Sequence, residues 1–262
     1  MLDDDTRLHV IGPGRFRGEI TDRWSVRAPN GGYVASYLTR ALVHESPVPD
    51  PLALNVHFVA PAAPGPATFA VELLRAGRSH ATLQARLFQD DLVAVATATF
   101  GRRRENGREL VTMTMPSVPP PEECERRATG PAPGLTIGLR FDDRIPPTGH
   151  PELGGRGGGS ATAGGWKRLL DRELDDLAVP LFLDAWPPSI WGATEAGAGF
   201  APTLDYTVHW RATPHLPWHL AWFSTSDLRG GYLVEDGELW GSDGTLVAQS
   251  RQLARFVEEP GP

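Results

Sequence analysis

The sequence predicts an α+β architecture built from two copies of one unit, each a central helix against a long antiparallel sheet. Three observations predict it. A segment with apolar residues at helical spacing is followed by several segments that alternate apolar and polar. The same order of elements returns after a proline-rich break. Short pieces of text also recur between the two blocks at an offset of roughly 150 residues, the mark of an internal duplication.

The first ordered block runs from about residue 8 to 103. Asn30-Gly31-Gly32 precedes Tyr33, and Val34, Leu38, Ala41 and Leu42 recur at helical spacing, with further apolar residues around the wheel. This pattern predicts a helix buried on most sides, with Asn30 as its N-cap and Pro47 and Pro49 beyond its end. Leu52, Leu54, Val56 and Phe58 alternate, as do Phe69, Val71 and Leu73, and then Leu92, Ala94, Ala96, Ala98 and Phe100. The second block runs from about 135 to 256. A helix is expected over 176–185, stopped by Pro187-Pro188, then strands over 204–210, 218–225, 232–240 and 245–256. Residues 116–134, rich in proline, read as a linker, and the glycine-rich stretch 154–160 as a mobile loop. The expected division is therefore 1–115, 116–134 and 135–262. Val56-His57-Phe58 recurs as Val208-His209-Trp210, and Leu92-Val93-Ala94 as Leu246-Val247-Ala248. One helix wrapped by one sheet, repeated, is a double hotdog. Joining the two sheets edge to edge removes two exposed strand edges.

Composition narrows the function classes. Of 262 residues, 40% are hydrophobic and 22% charged, as in ordinary globular proteins, and the net charge of −7 argues against a nucleic-acid partner. The one cysteine, Cys124, allows no internal disulfide and points to a reducing, cytoplasmic setting. The acidic start lacks the features of a secretory signal, and no apolar run is long enough to predict a membrane span. No Gly-x-Ser-x-Gly elbow or phosphate loop is found, and the eight histidines form no metal-ligand pattern, so no metal or organic cofactor is expected. His57 and His209 occupy matching places and read as structural.

In a duplicated fold each half is a control for the other. Gln252 falls on Ala98 and Asp205 on Ala53. Ala248, Ser250, Gln252, Ala254 and Phe256 share one strand face, which is expected to look at the helix; an unpartnered glutamine there costs roughly 1–3 kcal/mol. Gln252 is then either satisfied by backbone or part of a site, and Asp205 either a solvent-facing strand residue or part of the same site. Ser224-Thr225-Ser226-Asp227 adds hydroxyls that are either solvent-facing or functional. Gly31-Gly32 either ease a tight turn or open the helix N-terminus, with its free N–H groups and partial positive charge, to a ligand.

The segments 29–33 (Pro-Asn-Gly-Gly-Tyr), 74–79 (Leu-Arg-Ala-Gly-Arg-Ser), 165–168 (Gly-Trp-Lys-Arg), 184–188 (Asp-Ala-Trp-Pro-Pro), 202–210 and 244–252 together resemble the type II acyl-CoA thioesterases of the thioesterase-like superfamily. The resemblance covers nearly the whole chain outside the proline and glycine stretches. It implies hydrolysis of an acyl thioester by a water held among Asp205, Gln252 and a hydroxyl, Thr225 or, one residue on, Ser226. It places the oxyanion donors at Asn30, Gly31 and Gly32. The run 227–231 departs from the family pattern. The implied substrate is an acyl-CoA or acyl-carrier thioester, with coenzyme A part of the substrate rather than a cofactor and Arg75, Arg78 or Arg102–Arg104 as candidate phosphate cations. A homo-oligomer, dimer or larger, is expected. The competing reading is a non-hydrolytic acyl-binding or tailoring protein on the same fold.

Overall fold

A computed structural model describes residues 1–104, 107–127, 134–147, 159–194 and 199–258. Its main sheet has 13 strands: β1 (His9–Gly12), β2 (Arg15–Ile20), β3 (Asp50–Phe58), β4 (Gly65–Ala76), β5 (Ala81–Phe88), β6 (Leu92–Gly101), β7 (Glu125–Arg126), β8 (Phe141–Ile145), β9 (Thr162–Leu169), β10 (Thr203–Trp210), β11 (His219–Arg229), β12 (Tyr232–Gly241) and β13 (Leu246–Arg255). The spatial order is β1-β2-β4-β5-β6-β3-β10-β13-β12-β11-β9-β8-β7. Read outward from the β3–β10 seam, the two halves repeat the same connectivity. At the seam Asn55 faces Thr207, with Val56 opposite Tyr206 and Leu54 opposite Val208. The Val-His-aromatic text thus lies on the pair of strands that join the halves, and each protects the other's edge.

The helix α2 (Gly31–Glu45) follows the short α1 (Leu2–Asp5) and starts on Asn30, whose side-chain oxygen accepts from Tyr33 N at 3.1 Å. Its buried Val34, Leu38 and Leu42 pack with Leu54, Val56, Leu83 and Phe100 of the sheet in one core, which continues into the second half through Leu181, Phe182, Tyr206 and Val208. The second helix departs from expectation. Only α3 (Val179–Phe182), four residues long, forms within 176–185. Pro180 lies in its first turn, and Pro187-Pro188 follow too closely for a second turn to build.

The strands β1, β2, β5, β7, β8 and β9 were not foreseen. In β9 the Gly164-Gly165 pair hides the alternation because each glycine meets a close neighbour: a Cβ would lie 2.4 Å from Ala221 O at Gly164 and 2.2 Å from Arg144 O at Gly165. The stretch expected as a linker is packed where it is described. Met115, Val118 and Cys124 cover Trp166, Trp222 and Trp240 on the outer face of the second half, and Trp166 Nε1 donates to Pro119 O at 2.8 Å. Three tryptophans are therefore held under this connector. Residues 128–133 of that stretch, and 154–158 of the expected glycine loop, lie outside the described residues. Among the described residues no helix is long and apolar enough to cross a membrane.

Candidate functional site

Register places four side chains in one row across the second half. Thr225 faces Glu235, Glu235 faces Gln252, and Gln252 faces Tyr206. Tyr206 lies in the shared core, so this is the inner face of the sheet. The row in the first half, reached through the same pairings, is Leu73, Leu83, Ala98 and Leu54. Even the bulge is repeated: the register shifts after Leu73 in β4 and after Thr225 in β11. A leucine, leucine, alanine, leucine row has become threonine, glutamate, glutamine, tyrosine.

Such groups are retained in a sheet interior only with partners. Glu235, 5% exposed, accepts from the backbone N–H of Ser189 at 2.7 Å and from its hydroxyl at 2.6 Å on Oε2, and from Gln252 Nε2 at 2.7 Å on Oε1. The Gln252 carbonyl accepts from Thr203 Oγ1 at 2.7 Å. Thr225 Oγ1 and Ser189 Oγ are 2.8 Å apart. Burial raises the Glu235 pKa above the ordinary carboxylate range, while the Ser189 and Gln252 bonds hold it down.

A second carboxylate lies close by. Asp184, just beyond α3, accepts through Oδ2 from Gly32 N at 2.7 Å and Asn30 Nδ2 at 2.8 Å, so it caps the helix of the other half. Although the residue keeps some exposure, loss of water around the carboxylate raises its pKa to about 7; the Gly32 bond opposes the shift and the charge of Glu235 adds to it. Gly32 is required by this approach: a Cβ there would lie 2.6 Å from Pro180 O and 2.7 Å from Asp184 Cβ. Tyr206 closes the junction by donating to Pro180 O at 2.8 Å.

These contacts assemble some of the expected residues and separate others. Gln252 and Thr225 do share the inner face, joined through Glu235 and Ser189. Asp205 does not join them. Asp205 alternates with Tyr206, Val208 and Trp210 of the inner face, so it points away from Tyr206, toward the outer face. There it accepts from Asn55 Nδ2 at 3.0 Å and pairs with His57 Nδ1 at 3.1 Å; Asn55 also donates to Thr207 Oγ1 at 2.8 Å. His57, expected to be purely structural, is 64% exposed beside it.

Ser226, the alternative hydroxyl, is the exposed residue of the bulge, so Thr225 is the hydroxyl on the row. The unusual run 227–231 is the end of the β11–β12 hairpin, where Gly230 and Gly231 take φ of 61° and 82° as a two-residue turn of this kind demands. The helix-start donors also differ from expectation. Asp184 holds Gly32 N–H and the Asn30 amide, Asn30 holds Tyr33 N–H and Val34 N–H, and Gly31 N–H is the first-turn donor none of them takes. Of the candidate cations, Arg103 is engaged internally: it pairs with Asp176, and its N–H donates to Asp50 at 2.6 Å.

Glu235, Ser189 and Asp184 were missed as site residues. Glu235 carried a signal, since it falls in phase with Leu233 and Leu239 in an alternating strand whose inward residues are otherwise apolar or glycine. Ser189 and Asp184 lie in irregular backbone, where spacing carries no such information.

Comparison with known proteins fits this arrangement. The profile of the acyl-CoA thioesterase N-terminal domain matches residues 20–101, and that of the C-terminal domain matches 121–256. A comparison with curated protein sequences finds no match. Among solved structures, a Thermobifida fusca YX protein with a provisional thioesterase II assignment is 29% identical, covering 98% of this chain and 97% of its own, with a TM-score of 0.88. A hot dog fold protein of unknown function from Alicyclobacillus acidocaldarius is 28% identical over 99% and 98% of the two chains, TM-score 0.87. An acyl-CoA thioesterase II of Mycobacterium marinum shares the fold at 21% identity over 100% of both chains, TM-score 0.78. With both of its halves matched in order, this double-hotdog chain belongs to the acyl-CoA thioesterase family.

Proposed function

We propose that the protein hydrolyses acyl-CoA thioesters to free acid and coenzyme A at the inner-face row of the second half. The observation that carries this reading is the replacement of an apolar row by Thr225, Glu235 and Gln252 at the junction with the other half's helix start. Gln252 has one amide N–H beyond its bond to Glu235, and with the Thr225 hydroxyl it holds the attacking water. The carbonyl oxygen of the thioester takes its place against the first turn of α2, where the Gly31 N–H and the helix dipole stabilise the oxyanion. Thiolate is a good leaving group, so a strong acid at the sulfur is not needed. A thioester on a carrier protein meets the same chemistry. A reducing, cytoplasmic setting suits the lone buried Cys124, and a homo-oligomer is the proposed assembly.

The test is release of free thiol from short, medium, long and aromatic acyl-CoAs by wild type, Gln252→Ala and Asp205→Ala. Release by wild type, lowered at least about tenfold by Gln252→Ala, supports hydrolysis at the row. A loss of about a hundredfold in Asp205→Ala alone, the scale of a removed general base, moves the chemistry to the outer face. No release from any member favours the non-hydrolytic acyl-binding reading.

A further inference from the structure

Hydroxyl groups have one proton each, and that makes the inner-face network directional. The Ser189 hydroxyl donates to Glu235 Oε2 at 2.6 Å, so its only proton is committed there. Oε2 also accepts the Ser189 backbone N–H, which fits a carboxylate oxygen. While Glu235 is ionised, the 2.8 Å contact between Ser189 Oγ and Thr225 Oγ1 has Thr225 as donor. With its proton turned to Ser189, Thr225 presents lone pairs on its other side. The chain Thr225 O–H to Ser189 O–H to Glu235 thus runs from a partly exposed hydroxyl to a carboxylate 5% exposed, through a serine with no exposed surface. Gln252 braces the far oxygen of Glu235 from its own side of the row.

We propose that Thr225, Ser189 and Glu235 form a proton relay that activates the water of the hydrolytic reaction. The inference rests on the thioester-hydrolase reading above. As the water oxygen bonds to the carbonyl carbon, one of its protons passes to Thr225 Oγ1. The Thr225 proton passes to Ser189, and the Ser189 proton to Glu235. When the carbon–sulfur bond breaks, the same protons return in reverse order to the thiolate. The net change is thioester plus water giving acid plus thiol, and no other reactant is consumed. Glu235 and Ser189 act through Thr225 and are positioning residues in this scheme. Burial of Ser189 and Glu235 keeps bulk water from the inner part of the path. The outer-face Asp205 has no part in it.

The experiment compares wild type, Ser189→Ala, Glu235→Gln and the double variant on an acyl-CoA that wild type hydrolyses, with thermal unfolding of each as the control for folding. Each single variant is expected to lower kcat about a hundredfold with KM little changed. The double variant is expected to be no worse than either single, because the two groups act in one chain. The acid limb of the kcat–pH profile is expected to vanish in Glu235→Gln, a change that a purely structural role would not produce. Ser189→Ala keeps the backbone bond to Glu235 and so tests the relay even if Glu235→Gln folds poorly. Folded variants with wild-type kcat and an unchanged pH profile overturn the relay while the hydrolase reading stands. A wild type inactive on every acyl-CoA overturns the hydrolase reading and the relay with it.

Discussion

The two halves share a sheet topology, a bulge and a seam, yet one inner row is Leu73, Leu83, Ala98 and Leu54 and the other is Thr225, Glu235, Gln252 and Tyr206. The difference follows from the helices. In the first half, 15-residue α2 fills the concave face, and Leu83 is fully buried in the core with it. In the second, α3 has four residues, and the space a longer helix takes is filled by side chains from the sheet and from the 184–191 segment. A second pair of positions repeats the lesson. Gly18 faces Ala67 in the first half because Tyr37 of α2 stands where a Gly18 Cβ would be, its hydroxyl 1.9 Å away. The equivalent pair is Lys167 and His219, both with no exposed surface. Lys167 reaches Asp143 at 2.8 Å and the Phe141 ring at 3.6 Å. One half spends its concave face on stability, and the other holds polar chemistry there.

The largest test of this comparison copies one row onto the other. The triple variant Thr225→Leu, Glu235→Leu, Gln252→Ala is expected to lose hydrolysis by at least about a hundredfold. Its unfolding stability is expected to fall by about 1–3 kcal/mol, because the buried N–H and hydroxyl of Ser189 lose their carboxylate partner. Thiol release together with thermal unfolding measures both, and surviving hydrolysis breaks the comparison. The reciprocal change, Leu83→Ala in the first half, is expected to cost about 2–5 kcal/mol of stability and leave kcat per folded molecule unchanged. A kcat loss there would mean that the first row also serves the chemistry.

Smaller effects come from the buried titratable groups of the second half. Asp184 has its pKa raised from 3.8 to about 7, chiefly by burial. The fold therefore favours its protonated form, and the stability it contributes below about pH 4 is lost as pH rises to about 7. Asp184→Asn is expected to remove that loss, on the order of a few kcal/mol, in denaturant titrations at pH 5 and pH 8. His219 has its pKa lowered from 6.5 to about 4, again chiefly by burial. Its contribution is present above about 6.5 and lost as pH falls to about 4, so His219→Phe is expected to flatten the acid side by up to about 3 kcal/mol. The two contributions oppose each other between pH 4 and 7. The single variants should therefore tilt the stability curve in opposite directions, and equal tilts would show that burial does not set these ionisations.

Much of the fold was legible in the text. The Val-His-aromatic repeat marks the strands that turned out to form the seam, and the alternation in 92–100 and 245–256 marks strands that flank it. Asn30 was readable as an N-cap because a short polar side chain before an apolar helix has few other uses. The strands β8 and β9 were not readable, because glycine and charge interrupt their alternation. Within the site, Gln252 was found by setting it against Ala98. The same test would have found Glu235 against Leu83, had β5 been recognised as a strand. Asp205 was set beside Gln252 by its position along the chain, whereas the alternation of Tyr206, Val208 and Trp210 puts it on the opposite face.

By itself, then, the sequence determined the duplication, the strands at and beside the seam, the α2 cap and the family to which the chain belongs, since each is carried by local pattern and its spacing. Only the tertiary structure decided which side chains meet. Ser189 reaches Glu235 from 46 residues away and Asp184 reaches Gly32 from 152. Such contacts depend on how a thirteen-stranded sheet curves and on where one helix stops. No local preference records either, because burial, and with it the ionisation of these carboxylates, arises only when the two halves close on each other.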